Sequence, residues 1–466
     1  MATFLTVSVL TAVATALNSF EIRADNTAVV HLGTSKGAAE HLASGFIYGV
    51  PDTRGQIPSE YWTQLDIQGC RTGGAQLGSP ARGWVWGRSE YKGRFASSLS
   101  NYQECREYNA EVSWLAHDLW GTDSTNDSTI WPGDGGQWDS YDAFVLQLVE
   151  DLYDNEVLDG SIYEIWNEPD IGVFWKGEGG MQQWIDLYIR THKLIRADSR
   201  FDSLKLVGPS LAFRPMGSNL WWTEWLRQVA GNDTIPDQYT YHLEGTLAEA
   251  DNDPSYTNAS LSTLLETYGL PSRQINVNEY AQYIEMVPGS YIWWISGLER
   301  FDFIGLLGNW QGGTTLHDLF ANLLTKTADP YDYSATDYAP APGYWVYQYY
   351  ASNMTGNRVA VDRSGDTHLD VYATVGDDRV RLMVGTKLAS GTWYVTIDDL
   401  ESVGLLVSGT LTIDTWGFDG NDPLAAQAAP SFRNSVPHDY TDGALTIAIY
   451  QENNYTGWAF EFDVGA

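Results

Sequence analysis

Apolar positions along residues 45–355 follow two alternating rhythms. Short, mostly apolar runs bounded by Gly, Pro, Asp or Asn predict buried strands. Longer stretches with apolar residues three and four apart predict amphipathic helices, as in Tyr141–Leu158, Met181–Ala197, Leu316–Lys326 and Tyr344–Ser352. The eight predicted strands are Gly45–Val50, Leu65–Thr72, Ala110–Asp118, Ser161–Asp170, Ser203–Pro209, Asp237–Glu244, Arg273–Tyr280 and Phe301–Trp310. Eight alternations of strand and helix predict a closed parallel (β/α)8 barrel of the TIM type rather than an open sheet.

The rhythm changes at both ends of this region. Within 356–466, short alternating runs separated by turn residues predict a C-terminal β-sandwich. Ser19–Asp25 and Ala28–Leu32 predict two strands ahead of the barrel, and because strands need partners, we expect residues 17–44 to join the sandwich. No low-complexity linker separates the modules, so the prediction is an α/β chain with a barrel and a sandwich packed together.

Residues 1–16 resemble a secretory signal peptide, with a short apolar stretch followed by the small residues Ala14 and Ala16. Later in the chain no run reaches the ~18 apolar residues of a membrane span. Cys70 and Cys105 are the two cysteines, so one disulfide is possible. A secreted, extracellular glycoprotein is predicted, in agreement with five Asn-X-Ser/Thr sequons at Asn126, Asn232, Asn258, Asn353 and Asn454.

The charge balance excludes several partner classes. With 26 Lys and Arg against 60 Asp and Glu, the net charge is −34, which disfavours nucleic acid and anionic membrane surfaces. The sequence has no His-Glu-x-x-His, no Cys/His cluster at ligand spacing, no Gly-x-Ser-x-Gly and no phosphate-binding Gly-x-x-x-x-Gly-Lys. We therefore expect neither a metal nor another cofactor, and neither serine-esterase nor nucleotide chemistry.

Aromatic residues make up 14% of the chain, with 20 Trp and 28 Tyr. Flat aromatic faces in loops suit the apolar faces of sugar rings, but the same side chains can also pack onto the body of the barrel. Both interpretations are open for the six tryptophans that lie among Gly, Pro, Asp and Ser, namely Trp84, Trp86, Trp120, Trp131, Trp138 and Trp175.

The fourth predicted strand, Ser161–Asp170, ends in Trp-Asn-Glu-Pro. Glu164, Trp166 and Glu168 share one face of the strand, since side chains alternate. Pro169 ends the strand because it has no backbone N–H to donate. Glu168 is thus placed at the carboxyl end of a buried strand, where barrel enzymes carry their catalytic residues. The alternative is a carboxylate that caps the next helix.

A second acid, Glu279, ends the seventh predicted strand. It lies 111 residues after Glu168, which is three βα units of about 37 residues. Two acids that face each other across a cleft are what glycosidic bond cleavage requires. One must be protonated to donate to the departing oxygen, and the other must be ionised.

With these motifs the sequence resembles the glycoside hydrolases of clan A, the 4/7 barrels. In that clan Trp-Asn-Glu-Pro marks the acid/base at the end of strand four, and a Glu that ends strand seven is the nucleophile. The resemblance implies that Glu168 is the acid/base and Glu279 the nucleophile of a retaining, double-displacement reaction. It also implies that Asn167 bonds the 2-hydroxyl of the sugar.

Further substrate-binding positions follow from the same resemblance. His242 is similar to the strand-six His of the clan, Trp310 to an aromatic floor on strand eight, and Arg71 to an Arg that supports the nucleophile. A core histidine and plain core packing are the respective alternatives for His242 and Trp310. His117, at the end of the third strand, is expected to line the cleft from its strand position alone.

Within the clan the layout is most similar to family 39, which includes β-xylosidases, iduronidases and arabinofuranosidase-type enzymes with a β-sandwich. Family members tend to place a Tyr two residues after the strand-six His, whereas Glu244 follows His242 here. Glu244 is therefore a candidate substrate contact, or the chain belongs elsewhere in the clan. The expected function is a secreted retaining glycosidase with a poly- or oligosaccharide substrate. The alternative is a secreted carbohydrate-binding protein on an inactive barrel. The sugar, the linkage and the oligomeric state stay open.

Overall fold

The computed structural model describes residues 25–245 and 252–465. The predicted signal peptide and nearly all of the predicted strand Ser19–Asp25 lie outside these ranges. The first described strand is β1 (Thr27–Ala38). Eight parallel strands then close a barrel in sequence order, which confirms the predicted fold class. They are β2 (Gly45–Ile47), β3 (Gly69–Thr72), β4 (Glu111–Leu115), β5 (Ser161–Glu164), β6 (Lys205–Leu211), β7 (Gln238–Leu243), β8 (Gln274–Tyr280) and β9 (Ile304–Leu307).

The barrel strands are short and almost fully buried, as expected of parallel strands with helices on their outer side. The ring closes at β2, where Phe46 pairs with Cys70 on one side and with Leu307 on the other. Closure brings the carboxyl ends of all eight strands to one rim. Residues that follow these strands are therefore neighbours even when they are distant in sequence.

Nine helices lie within the described residues, and most follow the predicted periodicity. In α4, Phe144, Leu148 and Leu152 recur every four residues and are completely buried, so one helix face packs on the barrel. The helices are α1 (Ser59–Leu65), α2 (Arg88–Glu107), α3 (Ala116–Trp120), α4 (Asp139–Asp154), α5 (Gly180–Arg196), α6 (Leu220–Asn232), α7 (Pro254–Tyr268), α8 (Pro288–Arg300) and α9 (Pro342–Asn353). Across the two described ranges, none of the helices is long and apolar enough to cross a membrane.

The predicted helix over Leu316–Lys326 is wrong. A 3-10 turn over Gly313–His317 is followed by four residues, Leu319 to Asn322, whose φ angles of 47–68° are left-handed. The chain then forms a strand, β10 (Leu324–Lys326), paired with β11 (Tyr338–Pro340). Left-handed φ costs non-glycine residues roughly 1–2 kcal/mol each, so tertiary contacts must stabilise this segment.

Those contacts come from the first barrel strand. The Phe320 ring stacks on Phe46 with 5.1 Å between centroids, and the Phe320 N–H donates to the Gly49 carbonyl at 3.0 Å. All four left-handed residues are completely buried. Packing against β2 therefore overrides the helical spacing of the sequence.

A nine-stranded sheet forms the second module, in the order β17-β16-β19-β14-β13-β12-β1-β15-β18. It folds over on itself, so side chains from both halves share one apolar core, as in a β-sandwich. β1 lies inside the sheet, antiparallel to β12 and parallel to β15. The remaining strands are β12 (Asn357–Asp362), β13 (Leu369–Val375), β14 (Arg379–Thr386), β15 (Gly391–Asp398), β16 (Gly409–Phe418), β17 (Ser431–Tyr440), β18 (Leu445–Gln451) and β19 (Gly457–Asp463).

The barrel and the sheet are packed together through α8. At the start of α8, the helix backbone lies so close to the backbone of β14 that a Cβ at Gly385 would overlap the Gly289 carbonyl. At its end, the Arg300 guanidinium bonds both carboxylate oxygens of Asp370 in β13. Asp370 is completely buried, so this charge pair belongs to the interface and not to the surface.

Cys70 of β3 and Cys105 of α2 are buried free thiols, so the possible disulfide is not formed. The two thiols are hydrogen-bonded to each other. Burial, together with the neighbouring Cys70 thiol, raises the pKa of Cys105 well above its ordinary value. The two side chains fill part of the core between β3 and α2.

Candidate active site

The carboxyl rim of the barrel brings together the acids and bases predicted from the sequence. Arg71 lies near the end of β3, His242 near the end of β7 and Glu279 near the end of β8, while Glu168 follows β5 by four residues. One carboxylate oxygen each from Glu168, Glu244 and Glu279 and one ring nitrogen of His242 all lie within 4.8 Å of one another. The side chains of Glu168 and Glu279 are 12% and 13% exposed, so both acids are accessible from the cleft.

Glu168, His242, Glu244 and Glu279 also have the donor types of a cation site. Two of these residues are bonded to each other and a third accepts from an arginine, whereas the buried His242 Nε2 has no hydrogen-bond partner among the described residues. The His242 Nδ1 is 2.8 Å from Glu168 Oε1, and the guanidinium of Arg71 donates to Glu279. Protein cations, Arg71 and His242, therefore lie directly beside the acids of this cluster.

Arg71 is the centre of a buried hydrogen-bond network. Its Nε and Nη2 donate to the two oxygens of Glu164 at 3.0 and 2.6 Å, and Nη2 also donates to Asn167 Oδ1 at 2.7 Å. Its Nη1 donates to Glu279 Oε1 at 2.5 Å and to the Asn278 carbonyl at 2.9 Å. One planar guanidinium therefore fixes the orientation of a residue beside each candidate catalytic acid.

Glu279 is held in its ionised form. Burial alone would raise its pKa, but the charges of His242 and Arg71 and the hydrogen bonds from Arg71 and Glu244 lower it below the ordinary glutamate value. A carboxylate that stays ionised and partly accessible has the state that a nucleophile needs.

Glu244 is held in its protonated form. Burial, followed by the negative charges of Glu279 and Glu168, raises its pKa well above the ordinary value. Its carboxyl group is hydrogen-bonded to Glu279, so the protonated acid donates to the ionised one. The space for this side chain exists because residue 308 is glycine, where a Cβ would overlap Glu244 Oε1.

His242 lies between the two candidate catalytic acids. Its Nδ1 is 2.8 Å from Glu168 Oε1, and its Nε2 is 3.6 Å from Glu279 Oε1. Burial lowers its pKa, but the charges of Glu279 and Glu168 and the hydrogen bond to Glu168 outweigh burial and raise the pKa above the ordinary histidine value. His242 is thus buried, as expected if it were a core histidine. Its side-chain partners, however, are the two candidate catalytic acids.

The backbone turns sharply at Glu168, whose φ of +42° is left-handed. Its N–H donates to the Ser210 carbonyl of β6 at 2.8 Å. The next turn is held by Asp170, whose two oxygens accept the backbone N–H groups of Ala212 and Phe213. Left-handed φ in a non-glycine residue is typical of functional sites that the surrounding structure constrains.

Glu168 does not cap the helix that follows. That helix, α5, begins at Gly180 after Gly179, twelve residues beyond Glu168, while the Glu168 carboxylate bonds His242. The helix-capping alternative is therefore wrong.

Trp310 and His117 occupy contrasting environments. Trp310 follows the end of β9 and is 41% exposed, which rules out plain core packing for this side chain. His117 lies in α3, directly after β4, and is only 2% exposed. Its Nε2 is 3.0 Å from Asp118 Oδ1, and burial, with the nearby charges of Arg71, Arg94 and His242, lowers its pKa well below the ordinary value. His117 is thus a neutral side chain beneath the cleft.

The six loop tryptophans divide into two groups. Trp120, Trp131 and Trp175 are 3–5% exposed and form one cluster of packed rings with Trp166, so these three belong to the core. Trp84, Trp86 and Trp138 retain some exposure. The sugar-binding interpretation therefore stays open for this second group alone.

Glu164 and Asn278 are site residues that the sequence analysis missed. Glu164 is completely buried. Its two carboxylate oxygens accept hydrogen bonds from Arg71 Nε and Nη2, and Oε2 also accepts one from Asn278 Nδ2 at 3.0 Å. Asn278 Nδ2 also lies 3.2 Å from Ser210 Oγ. The signal for Glu164 was its place on the same strand face as Glu168, since a buried carboxylate requires a buried cation.

No family model and no curated protein matches this chain. Solved structures do match it. A protein from Neocallimastix frontalis has a TM-score of 0.74 at 20% identity, over 94% of this chain and 99% of that chain. A GH39 enzyme from Xanthomonas axonopodis pv. citri has a TM-score of 0.57 at 15% identity, over 94% and 97%. A monomeric β-xylosidase from Caulobacter crescentus has a TM-score of 0.55 at 14% identity, over 95% and 100%. The chain therefore has the barrel-and-sheet fold of these solved structures, a GH39 enzyme and a β-xylosidase among them, and the expected likeness is confirmed at the level of the fold.

Proposed function

We propose that the protein is a retaining glycoside hydrolase in which Glu279 is the nucleophile and Glu168 the acid/base. The observation that carries the proposal is the pair of acids at one rim, with carboxylate oxygens within 4.8 Å of each other. Retaining enzymes have carboxyl groups ~5–5.5 Å apart, whereas inverting enzymes leave ~6.5–9.5 Å for a water molecule. The short separation favours retention.

In the first step the Glu279 carboxylate attacks the anomeric carbon and the bond to the leaving oxygen breaks. Glu168 gives its proton to that oxygen. In the second step Glu168 takes a proton from water, and the resulting hydroxide displaces Glu279 from the sugar. Asn167, oriented by Arg71 through its Oδ1, has its amide N–H available to bond the sugar's 2-hydroxyl.

The substrate is proposed to be a poly- or oligosaccharide. Among proteins with this fold are a β-xylosidase from Caulobacter crescentus, a GH30 endoxylanase from Clostridium papyrosolvens and a xyloglucanase from Paenibacillus polymyxa. These names favour plant cell-wall glycans as the first substrates to assay. The inactive-barrel alternative requires the loss of an acid, and both acids are in place.

Secretion is also proposed. Besides the signal-like residues 1–16, none of the five sequon asparagines is buried, as N-glycosylation requires. Expression in a eukaryotic host, followed by N-terminal sequencing of the protein in the medium, tests secretion and the removal of the signal-like residues.

Azide rescue tests the mechanism, with aryl glycosides that have activated leaving groups. Glu279→Ala should lose roughly 10⁴-fold or more in turnover, because the covalent step has no nucleophile. Azide should then give a glycosyl azide whose anomeric configuration is opposite to that of the substrate. In the matched variant Glu168→Ala, azide should instead give the retained configuration, because it attacks the Glu279 intermediate. Wild-type turnover in the Glu168→Gln, Glu279→Gln double variant would refute the assignment.

A further inference from the structure

A cavity of ≈ 550 Å³ lies beside the rim, between the loop that follows β3 and the loop that follows β4, and is completed by the first residues of α4. This volume lies within the ~300–1,000 Å³ typical of small-molecule sites. Arg71, Glu168, His242 and Glu279 lie at or just beyond the carboxyl ends of β3, β5, β7 and β8. The cavity is lined by other residues, namely Trp84, Val85, Trp86, Trp120, Asn126, Ser128, Thr129, Ile130, Trp131, Pro132, Gln137, Asp139, Ser140 and Tyr141. The cavity therefore shares no residue with the cluster of candidate catalytic side chains.

The Trp86 indole is the most exposed aromatic side chain of the cavity, at 38%. The Arg82 guanidinium covers one ring face, 4.1 Å from the ring centroid, so the exposed area lies on the other face and the edges. The indole Nε1 donates to Ser124 at both the carbonyl (3.1 Å) and Oγ (2.9 Å). The ring is thus fixed in place before any ligand binds.

Trp84 supplies a second fixed indole two residues away. Its Nε1 donates to Ser140 Oγ at 3.2 Å, and its ring lies edge-on to Tyr91 at 5.5 Å. Rigid aromatic side chains bind at a low entropic cost, since little side-chain freedom remains to be lost.

Buried tryptophans connect the wall of the cavity to the segment that carries Asn167 and Glu168. Trp120 and Trp131 line the cavity while being almost completely buried. Their rings are 5.2 Å apart, and Trp120 is 5.8 Å from Trp166, the residue before Asn167 and Glu168. The cavity wall is thus joined to the segment of Glu168 by packed rings, while none of the acids of the candidate active site lines the cavity.

The lining chemistry suits a neutral ligand that has apolar faces and polar edges. About half of the cavity surface is polar, contributed by side chains such as Asn126, Thr129 and Gln137. Among the described lining residues, Asp139 carries the formal charge, and its sign disfavours anions. A purely apolar ligand would leave the polar groups without partners. Sugar rings present both surfaces at once.

We propose that this cavity is a second carbohydrate-binding site that holds a neutral oligosaccharide against Trp84 and Trp86, apart from the active site. The choice of ligand class rests on the proposed function. Such a site would keep a polysaccharide attached to the enzyme between successive cleavages.

The test titrates xylohexaose and, separately, cellohexaose into the Glu279→Gln protein, which binds without turnover, and counts sites by calorimetry. Asn126 begins a sequon at the cavity, so the protein is made in a host without N-glycosylation. We expect two sites for one of the two probes. Adding Trp86→Ala should weaken one site by about tenfold or more and leave the other unchanged. In otherwise wild-type protein, Trp86→Ala should leave hydrolysis of short aryl glycosides unaltered.

Tyr153→Ala is the matched control. Like Trp86, Tyr153 is an exposed ring (44%) covered by an arginine, with Arg200 4.9 Å from the ring centroid, but it lies outside the cavity. It should leave both sites intact. A single site for both probes, or two sites insensitive to Trp86→Ala, would overturn the proposal while leaving the hydrolase assignment intact. Absence of hydrolysis by the wild type would instead refute the proposed function, and Trp86-dependent binding would still establish the cavity as a site.

Discussion

Three glutamates meet at the candidate active site, and their environments give two of them opposite charge states. Glu279 faces Arg71 and His242, so its pKa is lowered and it is ionised. Glu244 is buried beside the ionised Glu279, so its pKa is raised and it keeps its proton. The same side chain therefore acts as an anion at one position and as a hydrogen-bond donor at the other.

Glu244→Ala should move the acidic limb of the kcat/KM profile to higher pH. The hydrogen bond from Glu244 lowers the pKa of Glu279, so its removal lets the nucleophile take up a proton at a higher pH. Near neutral pH, kcat should fall by about 10- to 100-fold, as expected for the loss of one hydrogen bond to a charged group. Measured pH–rate profiles with an aryl glycoside provide the check.

Glu244→Gln is the control for this prediction, because the amide is neutral and still donates. Its acidic limb should stay close to that of the wild type. If both variants behave alike, Glu244 does not act through Glu279, and its predicted role as a substrate contact gains weight.

The place of Glu244 could be predicted from the sequence, but its partner could not. Its position two residues after His242 puts it at the rim by strand alternation alone. Its contact with Glu279 depends on the missing side chain at Gly308, in another βα unit. Trp-Asn-Glu-Pro gave Glu168 directly, since the local motif carries the whole signal.

At the scale of elements, the Arg71 fork ties three barrel strands together beneath the cleft. It bonds Glu164 of β5 and Glu279 of β8 from its own position in β3. Arg71 and Glu164 are each at most 1% exposed, so neither charge can be solvated if the other is removed.

Arg71→Met should destabilise the fold by about 3–5 kcal/mol, because an unpaired carboxylate stays buried. Adding Glu164→Gln should recover a large part of that loss, since the remaining side chain is neutral. Urea denaturation of the wild type, both single variants and the double variant measures the coupling. A loss below about 1 kcal/mol in Arg71→Met would contradict the buried-pair account.

Helical spacing predicted most helices correctly but failed over Leu316–Lys326. The spacing of apolar residues shows which side chains can share a helix face. It contains no information on a distant residue whose packing imposes another backbone conformation. Phe320 finds that partner in Phe46, about 270 residues earlier in the chain. Such long-range packing has no local signature in the sequence.

At the scale of the whole molecule, the contact between α8 and β14 joins barrel and sheet. Gly385→Ala should destabilise the protein by roughly 1–3 kcal/mol, because the added Cβ meets the Gly289 backbone and not a flexible side chain. Gly231→Ala is the matched control, since this glycine of α6 has open space around it and should gain ~0.4–1 kcal/mol. Calorimetric melting measures both. Equal effects of the two substitutions would refute the tight interface.

The fold class could be predicted because eight repeats of one pattern reinforce each other. One wrongly predicted helix therefore did not change the predicted fold class. The loop cavity at Trp84 and Trp86 could not be predicted, because loop shape has no periodicity. Only the alternatives for those tryptophans were available from the sequence.

The position of β1 has a consequence for biosynthesis. Val30 pairs with Val361, and the neighbouring His31 and Asp362 are separated by 331 residues of chain. At ~5–20 residues per second, the ribosome releases β1 tens of seconds before its partners exist. The barrel is thus translated while the backbone of β1 is still unpaired. The sheet is the last part of the nascent chain that can assemble.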